Sequence, residues 1–248
     1  MIENTAEDVQ AGLKQVREAF FSDKTRDVEW RKQQLRQLKT GFEENKEKIF
    51  AALEKDMKKD HFTTFIQEVA SVTGDIEHVL RGIDEWVKPQ KVDTPITIAP
   101  AKCRIVYQPL GAVCVIGAWN APFFTTVRPL VTTIAAGNTA LIKPSEMSAE
   151  SSKMIRYLVE NYLDNDCYKV VEGGAEVSIA CTQAKWDLIC FTGSSEKGKL
   201  VAQAAAKNLV PTILELGGKS ITIIDETANI NVACYKIIGA KFINSGQI

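Results

Sequence analysis

From Ala112 onward the sequence keeps one rhythm: a short β-branched or apolar run, a turn, then a stretch of helical pattern. The runs are Ala112–Ile116, Thr139–Lys143, 168–172, 188–192, Thr212–Leu216 and 221–224. The stretches between them are about 9 to 15 residues long, the length of a crossover connection. Strands that are apolar almost throughout must be covered on both faces, and helices supply that cover. The chain is therefore expected to be α/β, with a doubly wound parallel sheet. Such sheets bind ligands outside the carboxyl ends of their strands. The tips that matter are Trp119-Asn120, Lys143-Pro144-Ser145-Glu146, Gly173-Gly174, Gly193-Ser194-Ser195 and Glu215-Leu216-Gly217-Gly218.

Upstream of this rhythm the period is helical. Val9, Leu13, Val16 and Phe20 share one face; Leu35, Leu38, Phe42 and Ile49 share a second. Phe65, Val69, Val72, Ile76, Val79, Ile83 and Trp86 form the longest stripe, which ends at Lys88-Pro89 because proline has no amide hydrogen to continue a helix. Residues 96–98 and 103–108 read as a small projecting β-hairpin. The expected organisation is residues 1–94 and 111–248 as one domain, a helical layer plus the sheet, with 95–110 projecting from it as a hairpin.

A net charge of -1 gives no electrostatic reason for a nucleic-acid partner. No apolar run reaches the roughly 20 residues of a membrane span, and the first residues lack a signal-peptide core, so a cytoplasmic location is expected. Six cysteines without a CxxC pair and two histidines argue against a metal site. Most of these cysteines lie in apolar runs, as small buried hydrophobes do.

Each tip suggests its own chemistry. Residues 193–199 nearly spell a phosphate-binding P-loop, but Leu200 stands where a magnesium-binding hydroxyl is required and Glu196 would repel phosphates. What survives is a helix start whose amides, with Gly193, Ser194 and Gly198, suit a pyrophosphate; an ordinary strand-to-helix turn is the plain alternative. The GxGxxG fingerprint is absent. Lys143 and Glu146, three apart, can donate to and accept from one ribose, or form only an exposed ion pair. Asn120 carries a neutral donor suited to an oxyanion, or merely shapes a turn. Glu215 stands among apolar residues, where desolvation would disfavour its charge and suit it to general-base work; a paired structural glutamate is the alternative.

Taken together, residues 117–123 (GAWNAPF), 135–146 (AAGNTALIKPSE), 191–199 (FTGSSEKGK), 214–220 (LELGGKS) and 241–247 (KFINSGQ) resemble the aldehyde dehydrogenase superfamily, class 3 above all. The likeness is dense from Ala112 to the end and rests on length and pattern before it. It implies NAD as cofactor, with NADP possible, and oxidation of a small-molecule aldehyde to an acid through a cysteine thiohemiacetal. By the same resemblance Asn120 is the oxyanion donor and Glu215 the general base. Lys143 and Glu146 hold the adenosine ribose, Gly193, Ser194 and Gly198 the pyrophosphate, and Trp119, Asn120, Leu216 and Gly217 the nicotinamide side. Asn120 and Glu215 are then expected to face one crevice beside Lys143. A carboxylate at the ribose favours NAD over NADP by repelling a 2′-phosphate.

Two departures stand out. Ala121 occupies a position where the family usually has an aromatic, which affects the substrate channel. The family also reads Gly-Gln-x-Cys, whereas this chain reads Gly246-Gln247-Ile248, so the nucleophile is expected one position later and the catalytic domain beyond it. The chain is thus read as the cofactor-binding part of a longer, homodimeric enzyme, without turnover by itself and prone to self-association. Membrane attachment would need a C-terminal tail outside this sequence. The alternative role is a non-catalytic dinucleotide-binding or dimerising module.

Overall fold

The computed structural model describes residues 3–247. Five parallel strands form the sheet: β3 (Ala112–Ile116), β4 (Thr139–Lys143), β5 (Tyr168–Val170), β6 (Leu188–Gly193) and β7 (Thr212–Leu216), in the order β5-β4-β3-β6-β7. Upstream of it, β1 (Gln90–Lys91) and β2 (Arg104–Ile105) form a separate antiparallel pair. The chain starts the large sheet at its centre, steps outward through β4 and β5, then returns across β3 to lay down β6 and β7. The winding reverses between β3 and β6, and that is where a doubly wound sheet opens a crevice.

Alternation of side chains sends successive residues to opposite faces. Ala140, Ile142, Tyr168 and Val170 join the core beneath α2 (Val28–Glu44), α3 (Lys46–Met57), α5 (Ser71–Trp86), α6 (Pro122–Ala135) and α7 (Ala149–Tyr162). Ala112, Cys114, Ile116, Leu141 and Ile189 join the opposite core, under α1 (Ala6–Phe21), α8 (Ala175–Gln183) and α9 (Ser195–Ala206). The helical first third is therefore cover for the sheet: α1 packs on one face while α2, α3 and α5 pack on the other. Phe42 of α2 meets Phe123 of α6 edge to face, with ring centroids 5.9 Å apart. Every residue of β3 and β4 is buried, but β7, at the sheet edge, is largely exposed.

Several sequence expectations shift in detail. The stripe from Leu35 to Ile49 is two helices, because Asn45 ends α2 and precedes α3. The long stripe at Phe65 opens as α4 (His61–Thr64) followed by a π-helical turn, Phe65–Ala70, before α5 begins. Residues 96–98 are a 3-10 turn rather than a strand; Arg104–Ile105 pairs instead with Gln90–Lys91, upstream of the expected boundary at 95. The run 168–172 is strand only to Val170. Residues 221–224 form no strand, since no neighbour offers them a ladder; Ile221 and Ile223 are exposed there. After them α10 (Ile230–Phe242) has no buried residue.

Candidate active site

Register aligns the strand tips in a row. Lys143 of β4 stands beside Ile116 of β3, Ile116 beside Phe191 of β6, and Phe191 beside Leu214 of β7. At one strand spacing per step the row is about 14 Å long. Ile116, Phe191 and Leu214 all belong to the core under α1, α8 and α9. By alternation Lys143 takes that same face, whereas Glu215 takes the opposite one, the face that α6 covers over β3 and β4. The candidate residues thus divide between two faces, with the winding reversal between them.

The ion pair at the β4 tip is not the exposed pair that residue type alone suggests. Lys143 Nζ donates to Glu146 Oε2 at 2.6 Å, with the lysine side chain 3% exposed and the glutamate 41%. Burial pushes the Glu146 carboxyl up, but the Lys143 hydrogen bond, its own backbone amide and the lysine charge outweigh that and hold it below the usual glutamate value. An ammonium has three donors. Among the described residues Lys143 spends one, on Glu146, so two donors remain in a nearly dry position.

The β3 tip carries Trp119 and Asn120 on a loop that several contacts fix. Gly117 lies so close to α6 that a Cβ there would stand 1.8 Å from Thr126 Oγ1, which only glycine allows. Thr125 Oγ1 accepts from the Ala118 amide at 2.9 Å and lies 3.1 Å from the Ala118 carbonyl, to which it donates. Asn120 does not cap α6; Ala121 holds that position. Its Nδ2 instead donates to the Gln247 carbonyl at 3.1 Å, and Asn244 Nδ2 donates to the Asn120 carbonyl at 2.9 Å. Residues 117–123 and 241–247 therefore meet in space. Trp119 is exposed beside them.

At the β6 tip Gly193 ends the strand and Ser194 caps α9, its Oγ accepting from the Lys197 amide at 3.3 Å. Gly198 faces β7 rather than solvent: a Cβ there would lie 2.6 Å from Leu216 Cδ2, so its absence lets α9 approach the strand. Leu216 and Gly217 lie open at the β7 tip. Glu215 is exposed, against the expectation of an acid desolvated among apolar neighbours. The reason is its place on an edge strand, with β6 on one side and no helix over its face.

Two acids that residue patterns did not reveal complete the electrostatics. Glu68 accepts from the Phe123 and Phe124 amides at the start of α6, and Asp56 accepts from Glu150 and Ser151 at the start of α7. Helix starts attract anions. Those of α6 and α7 are filled by carboxylates from elsewhere in the chain, whereas α9, the start beside the winding reversal, is capped by its own Ser194. A faint signal existed for Asp56, because an acid in the last turn of α3 opposes that helix's own dipole. For Glu68 the only hint was the lack of a capping side chain at Ala121.

Burial pushes the Cys190 thiol up to about 11, and burial aided by Asp164 pushes Cys167 to about 12. Cys190 is half-buried rather than fully buried, Cys114 and Cys181 are buried, and Cys234 is exposed on α10. Among the described residues no group of three or more His, Cys, Asp or Glu side chains could hold a metal ion, and no helix is long and apolar enough to cross a membrane. Two surface grooves, one between α3 and α7 and one between α1 and α8, lie away from the strand tips.

Comparison with known proteins agrees with this geometry. The aldehyde dehydrogenase family model matches residues 1–248. Aldehyde dehydrogenase family 3 member A2 of Pongo abelii is 41% identical over 235 residues, 95% of this chain and 48% of that protein. The dimeric NADP-preferring aldehyde dehydrogenase of Mus musculus is 40% identical over 95% of this chain and 52% of its own length. A substrate-bound structure of Staphylococcus aureus AldH superposes with a TM-score of 0.94 at 37% identity, covering 97% of this chain and 52% of that one. The chain spans about half the length of the curated relatives it matches. With the motifs gathered at one sheet edge and the whole sequence matched, the chain belongs to the aldehyde dehydrogenase family.

Proposed function

We propose that this chain is the dinucleotide-binding part of an enzyme that oxidises an aldehyde to a carboxylic acid with NAD, and with NADP less well. The observation that carries the reading is the meeting of Asn120 with Gln247, 127 positions away, through a 3.1 Å hydrogen bond. It brings a neutral side-chain donor to the segment that, in the family's Gly-Gln-x-Cys spelling, leads to the sulfur nucleophile. A donor held there is suited to an oxyanion that develops on an aldehyde carbon under attack.

The residues present fit a dinucleotide. Lys143, buried with two donors unspent, and Glu146, a carboxylate 2.6 Å from it, suit the hydroxyls of a ribose. Gly193, Ser194 and the first turn of α9 would hold the pyrophosphate, and Gly198 serves by bringing α9 against Leu216. Trp119, Leu216 and Gly217 would border the nicotinamide, which when bound supplies the hydride acceptor. Glu146 would repel a 2′-phosphate, the basis for the order NAD before NADP.

Glu215 would act as general base, drawing a proton from the water that releases the acid. By alternation its side chain takes the face that α6, the helix after the Asn120 loop, covers over β3 and β4. None of the six cysteines matches the nucleophile's place, so the 248 residues should bind dinucleotide without turning substrate over. The exposed Ile96, Ile105, Val106 and Tyr107 of the hairpin region support a second copy of the chain as partner through that element.

Calorimetric titration tests the reading. The chain should bind NAD with saturable heat and NADP more weakly, and Glu146→Gln should narrow the gap. Absence of any NAD binding, or a preference for NADP that survives in the variant, would overturn it.

A further inference from the structure

Glu68 is a buried acid that the roles above leave unused. It sits in the π-helical turn Phe65–Ala70 with none of its surface exposed. Its Oε1 accepts from Lys59 Nζ at 2.8 Å, and its Oε2 accepts from the amides of Phe123 at 3.1 Å and Phe124 at 3.0 Å. Those amides are the second and third of α6, the ones that a capping side chain just before a helix normally satisfies. The residue there is Ala121, which has no acceptor on its side chain. The cap comes instead from Glu68, 55 positions upstream of Phe123.

Within the π turn the neighbouring residues Glu68 and Val69 are both buried, so the acid faces α6 from inside the core. Hydroxyls of Ser71 and Thr73 bond the carbonyls of Gln67 and Val69, so the widened turn keeps its polar groups paired. Lys59, itself buried, supplies the charge partner without which a dry carboxylate would be costly.

What Glu68 holds is the far end of the Trp119-Asn120 loop. The near end is tied by Thr125 to Ala118, so the loop hangs between two clamps. Displacements of about 1 Å at such a loop are enough to impair a site. We propose that Glu68, held by Lys59, is a positioning residue that sets the Trp119-Asn120 loop through the α6 amides, without touching any ligand. The inference rests on the dinucleotide reading above and concerns its nicotinamide side.

The test is to titrate the 248-residue chain and its Glu68→Gln variant with ADP and with NAD. Glutamine keeps the size but offers one acceptor oxygen and turns an NH2 toward either Lys59 or the amides. ADP should bind both proteins within about twofold, because Lys143, Glu146 and α9 are unchanged; NAD should bind the variant roughly five- to tenfold more weakly, because the Trp119-Asn120 loop is no longer held at its far end. NAD affinity equal in the two proteins overturns the inference, and so does equal weakening of both ligands, which would mark a general structural fault. A wild-type chain that binds neither ligand overturns the dinucleotide reading and the inference with it. Should the variant not fold, hydrogen exchange in the wild type decides: Phe123 and Phe124 amides as protected as those of β3 support the inference, and exchange as fast as at an uncapped first turn overturns it.

Discussion

The two sides of the winding reversal differ in how finished they are. At β4 the sheet is covered on both faces, the strand is wholly buried, and its tip presents a lysine already fixed against its partner carboxylate. At β7 one face of the edge strand has no helix over it, Glu215 is exposed, and the segment that follows leaves Ile221, Ile223, Tyr235 and Phe242 in solvent. The difference is one of cover. Residues at β4 acquire position and electrostatics from packing on both faces; β7 packs against α9 on one face, and on the other its residues have position from the ladder alone. Under the proposed reading, the ribose pair Lys143 and Glu146 therefore lies on the covered side of the reversal and Glu215 on the open side.

The contrast can be broken most directly through stability. Leu141→Ala, in the dry core beneath α1, should cost about 2 to 5 kcal/mol in urea unfolding, whereas Ile213→Ala on β7 should cost less than about 1 kcal/mol. Equal losses would mean that the β7 side is as tightly packed as the β4 side. Ligand affinity comes next. Lys143→Gln should weaken NAD binding by about 1.5 to 2.7 kcal/mol, roughly 10- to 100-fold, because it removes a charged donor from a dry place. Glu215→Gln should leave NAD affinity within about twofold, and a large loss there would move Glu215 into the dinucleotide site.

The smallest effect sharpens the comparison through pH. The Glu146 carboxyl is held below the ordinary value of 4.5 in the folded chain. A depressed folded value means that its stabilising contribution is present above the unfolded value and is lost as pH falls through the folded one. Between pH 6 and pH 3, wild type should therefore lose its advantage over Glu146→Gln as acid is added. The effect should be modest, since the carboxyl is about two-fifths exposed and solvent screens it. An advantage that grows toward pH 3 would contradict the assignment.

Strands β3, β4, β6 and β7 were legible as short apolar runs, and so was the sheet edge where the motifs gather, because burial on both faces leaves a mark in residue type. Asn120, Lys143, Glu146 and Ser194 could be picked out since each falls at a strand tip. Their settings could not. That Lys143 is dry and Glu215 wet depends on which helices lie over β4 and β7, and no local pattern records it. Residues 221–224 have the composition of a strand and are none, for want of a neighbour.

Sequence by itself determined the alternation of strand and helix, the parallel class of the sheet, the family, and the chemistry available at each tip, all of which follow from residue type and spacing. Tertiary structure alone decided the strand order that puts the reversal between β3 and β6, the meeting of Asn120 with Gln247, and the loan of Glu68 and Asp56 to helices far along the chain. The physical reason is the same in each case: hydrogen bonds and burial act through space, and a helix start lacking its own cap is satisfied by whichever acid the packing brings within 3 Å or so.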